Sequence, residues 1–206
     1  MPPRAAAAAK PADKAPDKAA KEIVLAKPDI RTTTIPIVGL SPLICHAWSA
    51  KAIKMMLDKQ TKQAKTGREA KDPEQDYRDS LYNLPGGGYG FPASAFKKSA
   101  VRAGTYTDDK MTYLRGAFYV QGDMVTIDGT PKPREDMVRV GMGTADIRYR
   151  AEFPDWSAVL RIEYNARAIS LDQVVNLFSV AGFSVGVGDW RPEKDGSYGR
   201  FEVKQS

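Results

Sequence analysis

His46 is the one histidine among 206 residues, the residue type most used for general acid–base work, and it stands between Cys45 and Trp48 where a β-branched run gives way to a helical pattern. A histidine so placed serves general acid–base chemistry when another side chain orients its ring and a cation meets the developing charge; Lys194 is the candidate cation. No partner set surrounds His46 along the chain, so a packed or capping histidine is the ordinary alternative. Other chemistries find less support. One histidine with one cysteine does not make a structural zinc site, and Cys45 has no second cysteine to bond. No Walker A loop, HExxH, GxSxG or CxxC motif occurs. Asp108–Asp109 and Glu135–Asp136 are adjacent pairs in expected turns, which predicts solvated carboxylates rather than a metal site. The run GGGYG at 86–90 lacks the Lys-Ser/Thr that would meet phosphate and magnesium, and reads as a hinge. Neither metal nor cofactor is expected.

A second candidate lies near the C-terminus, in GVGDWRPEKDGSYGRFEV (186–203). Gly186, Gly188, Gly196 and Gly199 permit positive φ angles and close backbone approach, so their amides are candidates for meeting a phosphate. Arg191, Lys194 and Arg200 add positive charge, while Trp190 and Tyr198 are candidates for stacking on an unpaired base. The structural alternative is a long turn whose glycines serve backbone geometry and whose Trp190 covers the core. The residues alone leave the two readings level.

The elements that position these residues follow from periodicity. IRTTTIPIVGL, from Ile30, is a β-branched strand ended by Gly39 and Pro42. WSAKAIKMMLDKQTKQAK predicts a first helix with Ser49 as N-cap and Ile53, Met56, Leu57 and Gln60 on one face. Lys51, Lys54, Lys59, Lys62 and Lys65 on its other face read as solvation. A β-rich insertion is expected over about 67–152. It contains a helix with Ala95, Phe96, Ser99, Ala100 and Ala103 packed and Gly104 as stop, two strands turning at Gly122–Asp123, and a strand pair around GMGTA. WSAVLRIEYNA alternates as a half-buried strand. Ser170 and Gln173 form a capping box for a helix burying Val174, Leu177, Phe178 and Ala181 and closed by Gly182, and RFEVKQ is the last strand. The order βαββαβ predicts an α+β, ferredoxin-like (RRM-like) domain over 28–206, with both helices on one sheet face and the other face free.

A loop with GVG and GSYG between the last helix and last strand of such a domain resembles the C-terminal glycine-rich loop of the RAMP superfamily, the RNA-binding proteins of CRISPR systems. The opening strand running into GLSPLICHAWS is similar to the way backbone subunits of that superfamily begin. The resemblance spans roughly residues 30–65 and 155–205. It implies RNA-backbone contact for Gly186, Gly188, Gly196 and Gly199, with single-stranded RNA as partner and assembly as a homo-oligomer or ribonucleoprotein subunit. It also gives His46 a specific task, taking the 2′-hydroxyl proton as in the RAMP-type endonucleases that cut without metal. The short chain and its unmatched insertion depart from a standard backbone subunit and fit a diverged relative carried by a phage or mobile element.

Composition agrees with an anionic partner without requiring one: 31 Lys plus Arg against 25 Asp plus Glu leave a net +6. Residues 1–27, rich in Ala, Lys and Pro, bury little apolar surface and read as a disordered tail. Arg4, Lys10, Lys14, Lys18, Lys21 and Lys27 against Asp13, Asp17 and Glu22 place +3 of the net charge there. No apolar run approaches the roughly 20 residues that span a bilayer, and a reducing cytoplasmic setting is expected. The expected function is non-catalytic RNA binding. A metal-independent ribonuclease using His46, and a self-assembling phage-type protein without nucleic acid, are the alternatives.

Overall fold

The computed structural model describes residues 26–61, 71–107, 109–140 and 143–204. Of the expected basic tail only Ala26 and Lys27 lie within these ranges, and Lys62 and Lys65 of the lysine face, like Asp108, lie outside them. In chain order the elements are β1 (Ile30–Gly39), β2 (Leu43–Cys45), α1 (Ala50–Gln60), α2 (Pro73–Asp79), β3 (Tyr89–Pro92), α3 (Ala93–Ala103), α4 (Met111–Ala117), β4 (Phe118–Val120), β5 (Met124–Asp128), β6 (Lys132–Val140), β7 (Thr144–Phe153), β8 (Ser157–Asn165), α5 (Leu171–Ser184) and β9 (Phe201–Val203). The fold is α+β, with five helices and antiparallel sheets among the described residues.

The main sheet has the order β3-β5-β8-β1-β9, with β4 also paired to β8. Its centre is the β1–β8 ladder, running from Ile30 opposite Asn165 to Val38 opposite Ser157. Alternation sorts the faces: Ile35, Ile37, Ala158, Leu160, Ile162 and Tyr164 are buried, whereas Thr32, Thr34, Val159 and Arg161 are exposed. Helices α3 and α5 pack together over the buried face, where Phe96 meets Phe201 at 6.2 Å between centroids and Phe118 meets Phe178 at 6.0 Å. Each such fully buried aromatic contributes roughly 1.5–3 kcal/mol of transfer free energy. The second sheet, β2-β7-β6, is built on a hairpin whose register runs from Lys132 opposite Glu152 to Val140 opposite Thr144.

The capping box of α5 forms as the spacing predicts: Ser170 Oγ accepts from the Gln173 amide, and Gln173 Oε1 accepts from the Ser170 amide. Four expectations are corrected. Helix α1 begins at its Ser49 cap, but its apolar face stays in solvent, with Ile53, Met56 and Leu57 exposed. The helix that packs on the sheet is α3, because the chain leaves the main sheet after β1 to pair β2 with β7. The segment 67–152 therefore supplies β3, β4, β5 and α3 to the main sheet and core as well as the second sheet. Strands β4 and β5 do not form a hairpin at Gly122–Asp123; both pair with β8 in succession, Val120 opposite Ile162 and Ile127 opposite Ala158. Gly182 does not end α5. It is buried inside the helix where an added Cβ would strike the Phe201 carbonyl, so glycine lets α5 lie close on β9.

Candidate nucleic-acid interface

The loop between α5 and β9 folds back on the protein rather than projecting from it. Asp189 donates its amide to the Ile44 carbonyl, Gly199 to Pro42, Val187 to Gly199, Tyr198 to Trp190 and Gly196 to Arg191. The glycines follow from this packing. Gly186, Gly188 and Gly199 have φ of +69°, +80° and +63°, and a Cβ on Gly188 would stand 2.6 Å from the Ile44 carbonyl oxygen. A Cβ on Gly196 or Gly199 would collide with the carbonyl of Trp190 or Val187. With these amides satisfied internally, the loop presents side chains to solvent.

Those side chains divide into two groups. On one side Trp190 is 45% exposed with φ of +55°, so it does not cover the core, and Lys194 is exposed. Tyr198 lies under the Arg134 guanidinium at 4.6 Å, and Arg200 lies over the Phe183 ring at 5.1 Å. On the other side Arg191 faces α3. Between this loop and α3 runs a groove of about 780 Å³, lined by Lys97, Lys98, Arg102, Arg115 and Arg191 together with Asp189, Glu193 and the aromatic rings of Tyr82 and Phe91. The two walls are tied by a buried hydrogen bond, Ser99 Oγ donating to the Gly186 carbonyl at 2.9 Å, and by Arg102 reaching Glu193 at 3.2 Å. Five cations against two carboxylates in a concave site concentrate positive potential. Lys97 is partly committed: it donates to the Arg115 carbonyl, sits 3.6 Å from the Tyr119 ring centroid, and burial lowers its pKa from the ordinary lysine range.

The structure thus brings Arg191, Gly186 and Gly188 to the groove and leaves His46 out of its lining. His46 lines a separate cavity of about 470 Å³ beside Trp48, Met56 and Tyr149. The partner that chain spacing does not reveal is Asp189, whose Oδ2 lies 3.3 Å from His46 Nδ1. Burial works against the Asp189 carboxylate, but the His46 hydrogen bond and the charges of Arg150 and Arg191 outweigh it and hold its carboxyl below the usual range. As a carboxylate it accepts, so Nδ1 is the donor. Arg150, 5% exposed, joins the cluster with Nε at 3.5 Å from the same oxygen and Nη1 at 3.4 Å from Asp136. Asp136 therefore lies in β6 within an ion-pair network with Arg134 and Arg150, not in a solvated turn. The Cys45 thiol is pushed up to about 12 by burial and is not a nucleophile. Groups of three metal-ligating side chains are absent among the described residues.

The cations of α3 and α4 are the part of the candidate site that residue type alone does not mark. Lys98 and Arg102 stand four apart and so share a helix face, a pattern present in FKKSAVRAG, but only the packing shows that this face opposes the glycine loop. Among the described residues, no helix is long and apolar enough to cross a membrane.

No family model and no curated protein matches the chain. Among solved structures its backbone is similar to Cmr6 from Pyrococcus furiosus, with a TM-score of 0.46 and 11% identity, covering 85% of this chain and 98% of that one. It is also similar to a chain in the cryo-EM structure of the Type III-B Cmr-beta complex bound to cognate target RNA, with a TM-score of 0.46 and 10% identity, covering 85% of this chain and 59% of that one.

Proposed function

We propose that the chain is a non-catalytic nucleic-acid-binding protein that holds single-stranded RNA along the groove between α3 and the glycine loop. The observation that carries this reading is the groove itself, where Lys97, Lys98, Arg102, Arg115 and Arg191 outnumber Asp189 and Glu193 on walls fixed by the Ser99–Gly186 hydrogen bond. Phosphate contacts supply affinity that needs no sequence, and the exposed Trp190 offers a ring on which a base stacks. RNA rather than single-stranded DNA rests on the resemblance of the loop to RAMP loops. The order β1, α3, β4 with β5, β8, α5, β9 supports reading the main sheet as a ferredoxin-like βαββαβ unit, from which β2 through α2 and the β6–β7 hairpin are excursions. Assembly along the strand, or as a ribonucleoprotein subunit in a cytoplasmic setting, completes the proposal.

The test is the purified full chain. It should bind a labelled single-stranded RNA more tightly than a deoxyoligonucleotide of the same sequence, and any particle larger than a monomer should shrink on ribonuclease treatment in size-exclusion chromatography. Failure to bind RNA at low salt would contradict the proposal.

One observation favours the second reading, metal-independent RNA cleavage. Asp189 gives His46 an orienting carboxylate, which leaves Nε2 of a neutral ring as the acceptor a general base needs. Incubation of labelled RNA with EDTA present separates the two: cleavage that disappears in His46→Ala while binding persists would make the chain an enzyme.

A further inference from the structure

Glu193 makes an arrangement unlike that of the groove's other carboxylate, Asp189. Its Oε2 accepts from both Arg191 Nε at 3.0 Å and Arg191 Nη2 at 2.8 Å, while its Oε1 meets Arg102 Nε at 3.2 Å. One anion thus receives a fork from one guanidinium and a third contact from another, which is the geometry in which arginines hold a phosphate. The backbone does not need this carboxylate. The Glu193 amide donates to the Val185 carbonyl, and the Ser99–Gly186 bond holds the loop to α3 independently.

We propose that the Glu193 carboxylate occupies a subsite for one phosphate of a bound strand, so that Glu193 is an internal competitor which a backbone phosphate displaces from Arg102 and Arg191. This rests on the nucleic-acid reading of the groove and adds to it a specific position and a residue that limits affinity. A backbone phosphodiester entering here replaces one monoanion with another on the same two guanidinium groups, and the freed carboxylate moves to solvent, where its side chain already has partial access.

The experiment is fluorescence anisotropy of the full chain with a labelled single-stranded RNA in low salt, with thermal melts alongside. Glu193→Gln keeps the side-chain shape and removes the competing charge. It should bind about threefold to tenfold more tightly, the range corresponding to relief of one or two partly exposed ion pairs. Glu193→Asp, which keeps the charge but withdraws it by one methylene, should show a smaller gain. The gain from Glu193→Gln should vanish in an Arg102→Ala, Arg191→Ala background. Asp195→Asn, an equal charge change at an exposed position on the same loop, should leave affinity unchanged. Should wild type bind RNA while Glu193→Gln binds no more tightly, or while Asp195→Asn matches its gain, the subsite is overturned and the groove reading stands. If neither wild type nor variant binds RNA, both fall.

Discussion

Two glycine-containing segments behave in opposite ways. At 86–88 an added Cβ would meet nothing, and the glycines serve a tight turn in which Gly87 and Gly88 take φ of +89° and +80°. In the 186–199 loop every glycine is pressed against protein backbone, and the amides of Gly186, Gly196 and Gly199 are spent on internal hydrogen bonds. Glycine content alone marks where a chain bends; what the glycines are for depends on what lies within a carbon atom's radius. In the second loop they let the chain lie against β2, and what this packing displays to solvent is side chains rather than glycine amides.

The largest expected effect is at Gly199. Gly199→Ala puts a Cβ into the Val187 carbonyl at a φ of +63°, so overpacking and left-handed strain together should lower stability by about 3 kcal/mol or more. Denaturant melts would measure it, and an unchanged midpoint would mean that the loop is not packed as described. Next is Trp190→Ala. With the indole nearly half exposed and outside the buried core, its loss should cost about 1–3 kcal/mol of single-strand RNA binding while the melting temperature changes little. A melting shift with no change in binding would return Trp190 to a structural role.

A smaller effect is expected at Asp189, which pins the loop to His46 and Arg150. Its pKa in the folded chain is below the ordinary value of about 3.9, so the stability it contributes is present above that value and is lost as pH falls through the lower folded one. Asp189→Asn should therefore flatten the acid limb of a melting-temperature profile below about pH 4, and an unaltered limb would show that this carboxylate is not coupled to folding. The smallest is Gly86→Ala, where open space and an ordinary φ predict a change within about 0.5 kcal/mol.

Local rules carried much of the fold. β1, β8 and the capping box of α5 were legible because a β-branched run, alternation and Ser-x-x-Gln are signals confined to neighbouring residues. What the sequence hid was always a matter of partner. α1 and α3 are both eleven-residue amphipathic helices, and their periodicity does not say that only α3, with Ala93, Ala100, Ala103 and Phe96 inward, packs on the sheet. Gly182 looked like a helix stop because the strand it approaches lies nineteen positions further on. His46 looked unpartnered because Asp189 is 143 residues away. The loop's own candidates, Trp190, Arg191, Lys194 and Tyr198, were readable from residue type. Lys98, Arg102 and Arg115 were not, since a cation on a helix is ordinarily solvated and only the fold sets these opposite the loop.

The central claim is that the groove beside α3 holds the strand. The most direct measurement is the salt dependence of single-strand RNA binding for a groove variant, Lys98→Ala with Arg102→Ala and Arg115→Ala, beside an α1 variant, Lys54→Ala with Lys59→Ala. Loss of three phosphate contacts should reduce the magnitude of the log–log slope by about 2 and weaken binding in the groove variant, while the α1 variant keeps the wild-type slope. Equal losses in the two variants, or a wild-type slope in the groove variant, would contradict the account.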